Sequence, residues 1–158
     1  MVSARPNVGH SRWQKWRRRP WRDRCVVMEA MAWLGLARAA VLTLPFKRIA
    51  PYLGARMALA PEKLPDKWVE EARRVAWAIR AAAARTPWRS NCLAQGIAGK
   101  AMLRRRGIPS TLYLGMAKGQ DATEPLAGHA WLRCAARIIT GPAGHKRFTI
   151  IAIFADIE

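Results

Sequence analysis

Two short stretches hold the residues of this sequence best suited to covalent chemistry. One is Trp88-Arg89-Ser90-Asn91-Cys92-Leu93-Ala94-Gln95-Gly96, with a cysteine at the head of an apolar run, and the other is Gly128-His129-Ala130-Trp131. A thiol is a weak nucleophile until a neighbouring imidazole takes its proton or a helix N-terminus stabilises the thiolate. Ser90 and Asn91 are helix-capping residue types, so Cys92 is expected at the first helical position, in the positive end of the helix dipole. There the Cys92 backbone N–H could hold an oxyanion, and His129, at the head of a strand, could act as base and then as acid. The chemistry so predicted is acyl transfer. Spacing alone leaves a plainer alternative open: a lone cysteine is usually a small buried hydrophobe, and a histidine before an aromatic residue is often a structural group.

The remaining polar candidates sort around this pair. Asn91, Gln95 and Trp131 flank it and are the candidates for positioning a substrate, while His145, in a Gly/Lys-rich loop, is a candidate third polar group. Cys134 falls on the strand face opposite His129 and reads as inert, and Cys25 reads as part of a helical core. Three cysteines with no CxxC and no His-x3-His indicate neither a disulfide framework nor a zinc site, so no metal and no cofactor is expected. Gly96-Ile97-Ala98-Gly99-Lys100-Ala101 lacks the leading glycine and the Ser/Thr of a phosphate-binding loop. Arg104-Arg105-Arg106 reads as a solvated helix end, and without an RNP, helix-turn-helix or zinc-finger pattern no nucleic-acid partner is expected.

These groups need a scaffold, and 158 residues suffice for one domain with its own core. A net charge of +18 favours an anionic partner, whether nucleic acid, an acidic peptide or an anionic membrane surface, and charge alone does not choose among them. Met1 to Arg24, rich in arginine and tryptophan, reads as a basic arm, and 25–158 as the domain, helical over 25–85 with the chemistry in 86–158. From Val27 to Leu44 apolar residues occupy almost every helical position, which predicts a helix buried on most of its circumference; Glu29 and Arg38 argue against a membrane span. The usage of cysteine fits a cytoplasmic setting, with association at the inner membrane face through the arm as an option. A helix over Lys67–Ala84 shows Trp68, Ala72, Val75 and Ile79 on its core face. A third, from Cys92 to about Arg105, closes at Gly107-Ile108-Pro109 and carries Gly96 and Gly99 on the face of Cys92, which suits close packing on a sheet. Strands are expected over Ser110–Lys118, His129–Ala135, Arg137–Thr140 and Phe148–Phe154, giving an α+β fold that ends in an antiparallel meander.

The combination Ser90-Asn91-Cys92-Leu93, Arg104-Arg105-Arg106-Gly107-Ile108-Pro109, Gly128-His129-Ala130-Trp131-Leu132, Thr140-Gly141 and Phe148-Thr149 resembles the leader-peptidase portion of lasso-peptide biosynthesis B proteins, a transglutaminase-like cysteine protease group. The resemblance runs from about Trp21 to the end and takes in Ala37-Arg38 and Leu44-Pro45-Phe46. It implies a papain/transglutaminase-like core, one central helix on an antiparallel sheet, and an enzyme that removes the leader from a ribosomally made precursor peptide. It also implies a separate leader-binding protein and an asparagine-synthetase-like macrolactam cyclase as partners. The family usually completes a Cys-His-Asp triad with a carboxylate shortly after the histidine, yet no Asp or Glu occurs here between Glu124 and Asp156. A backbone carbonyl, His145 and Asp156 are the candidates to take its place. The alternative to an enzyme is a non-catalytic basic adaptor for an acidic peptide, nucleic acid or membrane; a transglutaminase-type acyltransferase is a third option within the same chemistry.

Overall fold

The computed structural model describes residues 20–86, 91–119 and 125–156. Most of the basic arm, the approach to Asn91 and most of the polar loop expected after Gly119 lie outside the described residues. Helix α1 (Trp21–Thr43) starts behind Pro20, with Asp23 in its first turn where an acid complements the helix dipole. The helix therefore takes in Trp21 to Arg24, which composition alone assigns to the arm. A four-residue helix α2 (Phe46–Ile49), a 3-10 turn (Ala50–Leu53) and a two-residue strand β1 (Ala55–Arg56) lead on to helix α3 (Asp66–Ala83). Helix α4 (Cys92–Arg104) follows, then strands β2 (Thr111–Lys118), β3 (Leu126–Cys134), β4 (Arg137–Thr140) and β5 (Thr149–Ala155).

The three long helices pack together, and α4 lies on the sheet. α3 buries Ala72, Val75 and Ile79 as its pattern predicts, and Ala76, Ala78 and Ala82 besides. α1 departs from expectation. It buries one stripe, Val27, Ala30, Leu34 and Ala37, at the spacing of a single helix face. Cys25 is exposed rather than core, and so are Met28, Leu36 and Leu42. An apolar residue on every side of a helix does not tell which side the neighbours cover.

All pairings in the sheet are antiparallel, in the order β1-β5-β2-β3-β4. β2, β3 and β4 form a meander, but β5 does not extend it: it returns to the far side of β2. The connecting residues 141–148 cross the sheet on the face away from α4. Gly115 admits the crossing, because a Cβ there would stand 2.8 Å from Phe148 Cβ and 2.9 Å from the Trp131 ring. Gly96 and Gly99 do the same for α4 on the other face, where added Cβ atoms would meet Leu112 Cδ1 at 2.6 Å and Leu132 Cδ2 at 2.9 Å.

Arginines hold the end of α4. Arg106 pairs with Glu29 of α1 at 2.7 Å and with Glu71 of α3 at 2.9 Å, and Arg104 donates to Asp156 and to the Tyr52 carbonyl. The hydrogen bond from Arg106, with the charges of Arg106 and Arg105, holds the Glu29 carboxyl below its ordinary value. The arginine run is thus a structural clamp, although Arg104 and Arg105 keep 47% and 64% of their side chains exposed.

Candidate active site

Asn91 caps α4 by accepting from the Ala94 N–H at 2.8 Å through Oδ1, which sets Cys92 as the first helical residue. The N–H groups of a first helical turn have no partner within the helix, so that of Cys92 is of the kind an oxyanion uses. Cys92 is a free thiol, half-buried. Gln95, half-buried, follows three residues later in the same turn.

The height of Cys92 on the sheet follows from the helix below it. Gly96 sits over Leu112, and Lys100, four residues on, reaches the Ser110 carbonyl at 2.9 Å. Gly99 sits over Leu132, the cross-strand partner of Leu112, so α4 crosses this row of the sheet and Cys92 lies one helical turn before it.

β3 begins at Leu126, so His129 lies inside the strand rather than at its head. Register pairs it with Gly115, and pleating sends its side chain to the face opposite Leu132, hence opposite α4. Helix α4 and the imidazole therefore lie on opposite faces of the sheet. Its surroundings are aromatic: the ring stacks at 4.9 Å on Phe148 and 5.9 Å on Trp131, and Trp131 stacks at 5.4 Å on Tyr113. Trp131 is thereby a buried wall of the histidine pocket.

The ring is turned toward β4. His129 Nε2 lies 2.9 Å from the carbonyl oxygen of Gly141, the residue after that strand ends. A carbonyl only accepts, so Nε2 carries the hydrogen and Nδ1 keeps its lone pair. Gly141 has φ +66°, and a Cβ on it would lie 2.3 Å from the Ala130 oxygen. No side chain fits at that position. β4 reaches only as far as Thr140, opposite Leu132, so among the described residues no strand flanks His129 on that side. Thr140 joins the two halves: its Oγ1 is 3.9 Å from where a Gly96 Cβ would be, and its neighbour Gly141 holds the histidine.

The other sequence candidates lie elsewhere. Asp156 follows β5 beside Ser110, five residues along the sheet from the Gly115–His129 row, or about 16 Å. It takes hydrogen bonds from Lys100 at 2.8 Å, Arg104 at 3.0 Å and Ser110 at 3.2 Å. Burial alone would raise its pKa, but these bonds hold it below the ordinary carboxylate value. Asp156 therefore neutralises the buried Lys100 and does not orient His129. His145 is on the aromatic face, 5.9 Å from Trp131 between ring centres, with Nδ1 2.8 Å from the Pro142 carbonyl. Cys134 lies in the core with its thiol near the Pro109 carbonyl, and burial pushes its pKa up to about 11. No cluster of His, Cys, Asp or Glu fit to hold a metal occurs among the described residues.

A family model described as "Transglutaminase-like superfamily" matches residues 40–153. The chain belongs to the transglutaminase-like superfamily. Neither a curated protein nor a solved structure matches it. The α+β architecture, with α4 on a five-stranded antiparallel sheet, is the fold class its sequence predicts, and the superfamily match covers α2, α3, α4 and nearly all of the sheet. Among the described residues the imidazole's hydrogen-bond partner is Gly141, to which the sequence motifs assign no role. The available signal is its place at the end of a short strand before a proline.

Proposed function

We propose that this transglutaminase-like chain is a cysteine peptidase that removes the leader from a ribosomally made lasso precursor, ahead of ring closure by a separate cyclase. The observation that carries the reading is the His129–Gly141 hydrogen bond, which leaves Nδ1 as the free base. The Cys92 thiol gives its proton to Nδ1, and the thiolate adds to the scissile carbonyl carbon. The developing oxyanion takes the N–H of Cys92 at the head of α4. The imidazolium then protonates the leaving amine as the C–N bond breaks. Water, deprotonated by the same nitrogen, hydrolyses the thioester and restores the thiol.

Because α4 and the ring lie on opposite faces of the sheet, the reading requires thiol and imidazole to meet around the edge of β3, past the end of β4. Asn91 fixes the helix start, and Gln95 and Trp131 border the place where substrate lies. A separate leader-binding protein presents the precursor, in the cytoplasm. The assay is cleavage of a lasso precursor with its leader-binding protein by wild type, Cys92→Ala and His129→Ala. Wild type alone should cleave, and equal cleavage by Cys92→Ala sinks the assignment. An acyltransferase in place of a peptidase would show amine rather than water trapping the acyl-enzyme. A basic adaptor, the reading that the +18 charge favours, would bind with no thiol-dependent activity at all.

A further inference from the structure

The exposed side of α1 carries a continuous apolar stripe. Trp21, Cys25, Met28, Ala32, Leu36, Ala39 and Leu42 recur every three or four residues, and all are exposed. Trp21 is 72% exposed, Met28 58%, Leu36 61% and Leu42 69%, values far above those of the buried stripe on the other side. The helix has 23 residues, about 35 Å of length. Beyond its end Leu44 and Phe46, 40% and 37% exposed, continue the apolar surface. The ionic residues within the helix stand aside: Glu29 is turned to Arg106, and Arg38 is half-buried.

Charge decides what covers this face. The nineteen residues before Pro20 contain Arg5, Arg12, Lys15, Arg17, Arg18 and Arg19 with no Asp or Glu, and they join the stripe at its Trp21 end. Arg22 and Arg24 follow within the first turn, and exposed Lys47 and Arg48 stand at the opposite end. An apolar stripe between basic ends matches a bilayer bearing anionic headgroups, where the side chains enter the acyl boundary and the cations meet phosphates. A second copy of a chain with net charge +18 would bring like charges together along the same line. By length and composition α1 is also able to cross a membrane. Yet its Val27, Ala30, Leu34 and Ala37 are locked into the core, so it cannot be surrounded by lipid without unpacking the domain.

We propose that α1 lies in the plane of an anionic membrane surface, with Trp21, Met28, Leu36 and Leu42 inserted and the flanking Arg22, Arg24, Lys47 and Arg48 on the headgroups. The proposal is independent of the peptidase reading. Its test is flotation of the full-length protein with phosphatidylcholine vesicles that contain or lack phosphatidylglycerol. Wild type should bind the anionic vesicles, more weakly as salt rises, and Leu36→Glu/Leu42→Glu should bind at least about tenfold less. Both side chains are exposed, so melting temperature should hold; should the acidic pair unfold, Leu36→Gln/Leu42→Gln takes its place in the same comparison. Equal binding to neutral vesicles, or unchanged binding by the variants, overturns the proposal. So does a lipid-free dimer in analytical ultracentrifugation that the same variants dissociate, or retention on an acidic peptide with no retention on anionic vesicles.

Discussion

Gly141→Ala tests the histidine site and the backbone that builds it in one substitution. At φ +66° an L side chain costs about 1–2 kcal/mol. The new Cβ would also lie 2.3 Å from the Ala130 oxygen, which is backbone in the middle of a strand and does not yield. Reaching an ordinary contact requires a shift of about 1 Å. That shift opens the 2.9 Å hydrogen bond to His129 and forfeits about 1 kcal/mol more. The expected loss of stability is about 3 kcal/mol, by urea unfolding at neutral pH. Gly107→Ala is the control, since it shares φ +66° but its Cβ would meet nothing within 4 Å. It should lose only the conformational part, about 1–2 kcal/mol. Imidazole nitrogen NMR supplies the second reading: in wild type His129 should be the Nε2–H tautomer, and in Gly141→Ala the preference should weaken. Equal costs for the two alanines, or an Nδ1–H tautomer in wild type, would overturn this account of the site.

Two further outcomes follow from the buried charges and thiols. Asp156→Asn should destabilise the protein by about 3 kcal/mol at neutral pH in thermal or urea unfolding, because it strands the buried Lys100. Since the folded Asp156 has a lowered pKa, its stabilisation is complete above the ordinary carboxylate range and fades as pH falls through the folded value; wild type and variant should converge in acid. If instead the gap between them is constant down to low pH, the ion pair is not its source. With iodoacetamide at mildly alkaline pH, exposed Cys25 should be alkylated in the folded protein, whereas Cys134, its pKa raised to about 11, should react only after unfolding. Mass spectrometry of the labelled peptides reads both, and early labelling of Cys134 would contradict its burial.

What the sequence made legible was local. The Asn91 cap, the start of α4 at Cys92, the helix-closing Gly107 and the two glycines facing the sheet all follow from short-range rules that hold wherever the segment lies. Strand alternation likewise separated Cys134 from His129. The rest depended on which neighbours arrive. The return of β5 to β2 hangs on Gly115, whose significance appears only when Phe148 crosses above it. The buried side of α1 was invisible because both sides are apolar, and only contact with α3 and α4 distinguishes them. Asp156 looked available as a carboxylate because its distance from His129 is a matter of register between β5, β2 and β3, which no local pattern specifies.

The missing carboxylate and the Gly141 carbonyl are two aspects of one arrangement. A residue that orients an imidazole must present an acceptor at the edge of β3 just past β4, and Gly141 occupies that place. Its left-handed backbone and the closeness of the Ala130 oxygen exclude any side chain, and with it any carboxylate. The same left-handed residue points its own carbonyl at Nε2. In the peptidase reading this changes the electrostatics and keeps the geometry: the carbonyl fixes the tautomer and aims Nδ1, but it adds no full negative charge to stabilise an imidazolium. Aromatic rings on both sides of the histidine give little compensation for that charge. In that reading the other partner stands at the start of α4, where Cys92 is the first helical residue at the positive end of the helix dipole. A thiol tolerates such a division of labour better than a hydroxyl would, because its proton is already held weakly enough for a neutral imidazole to remove.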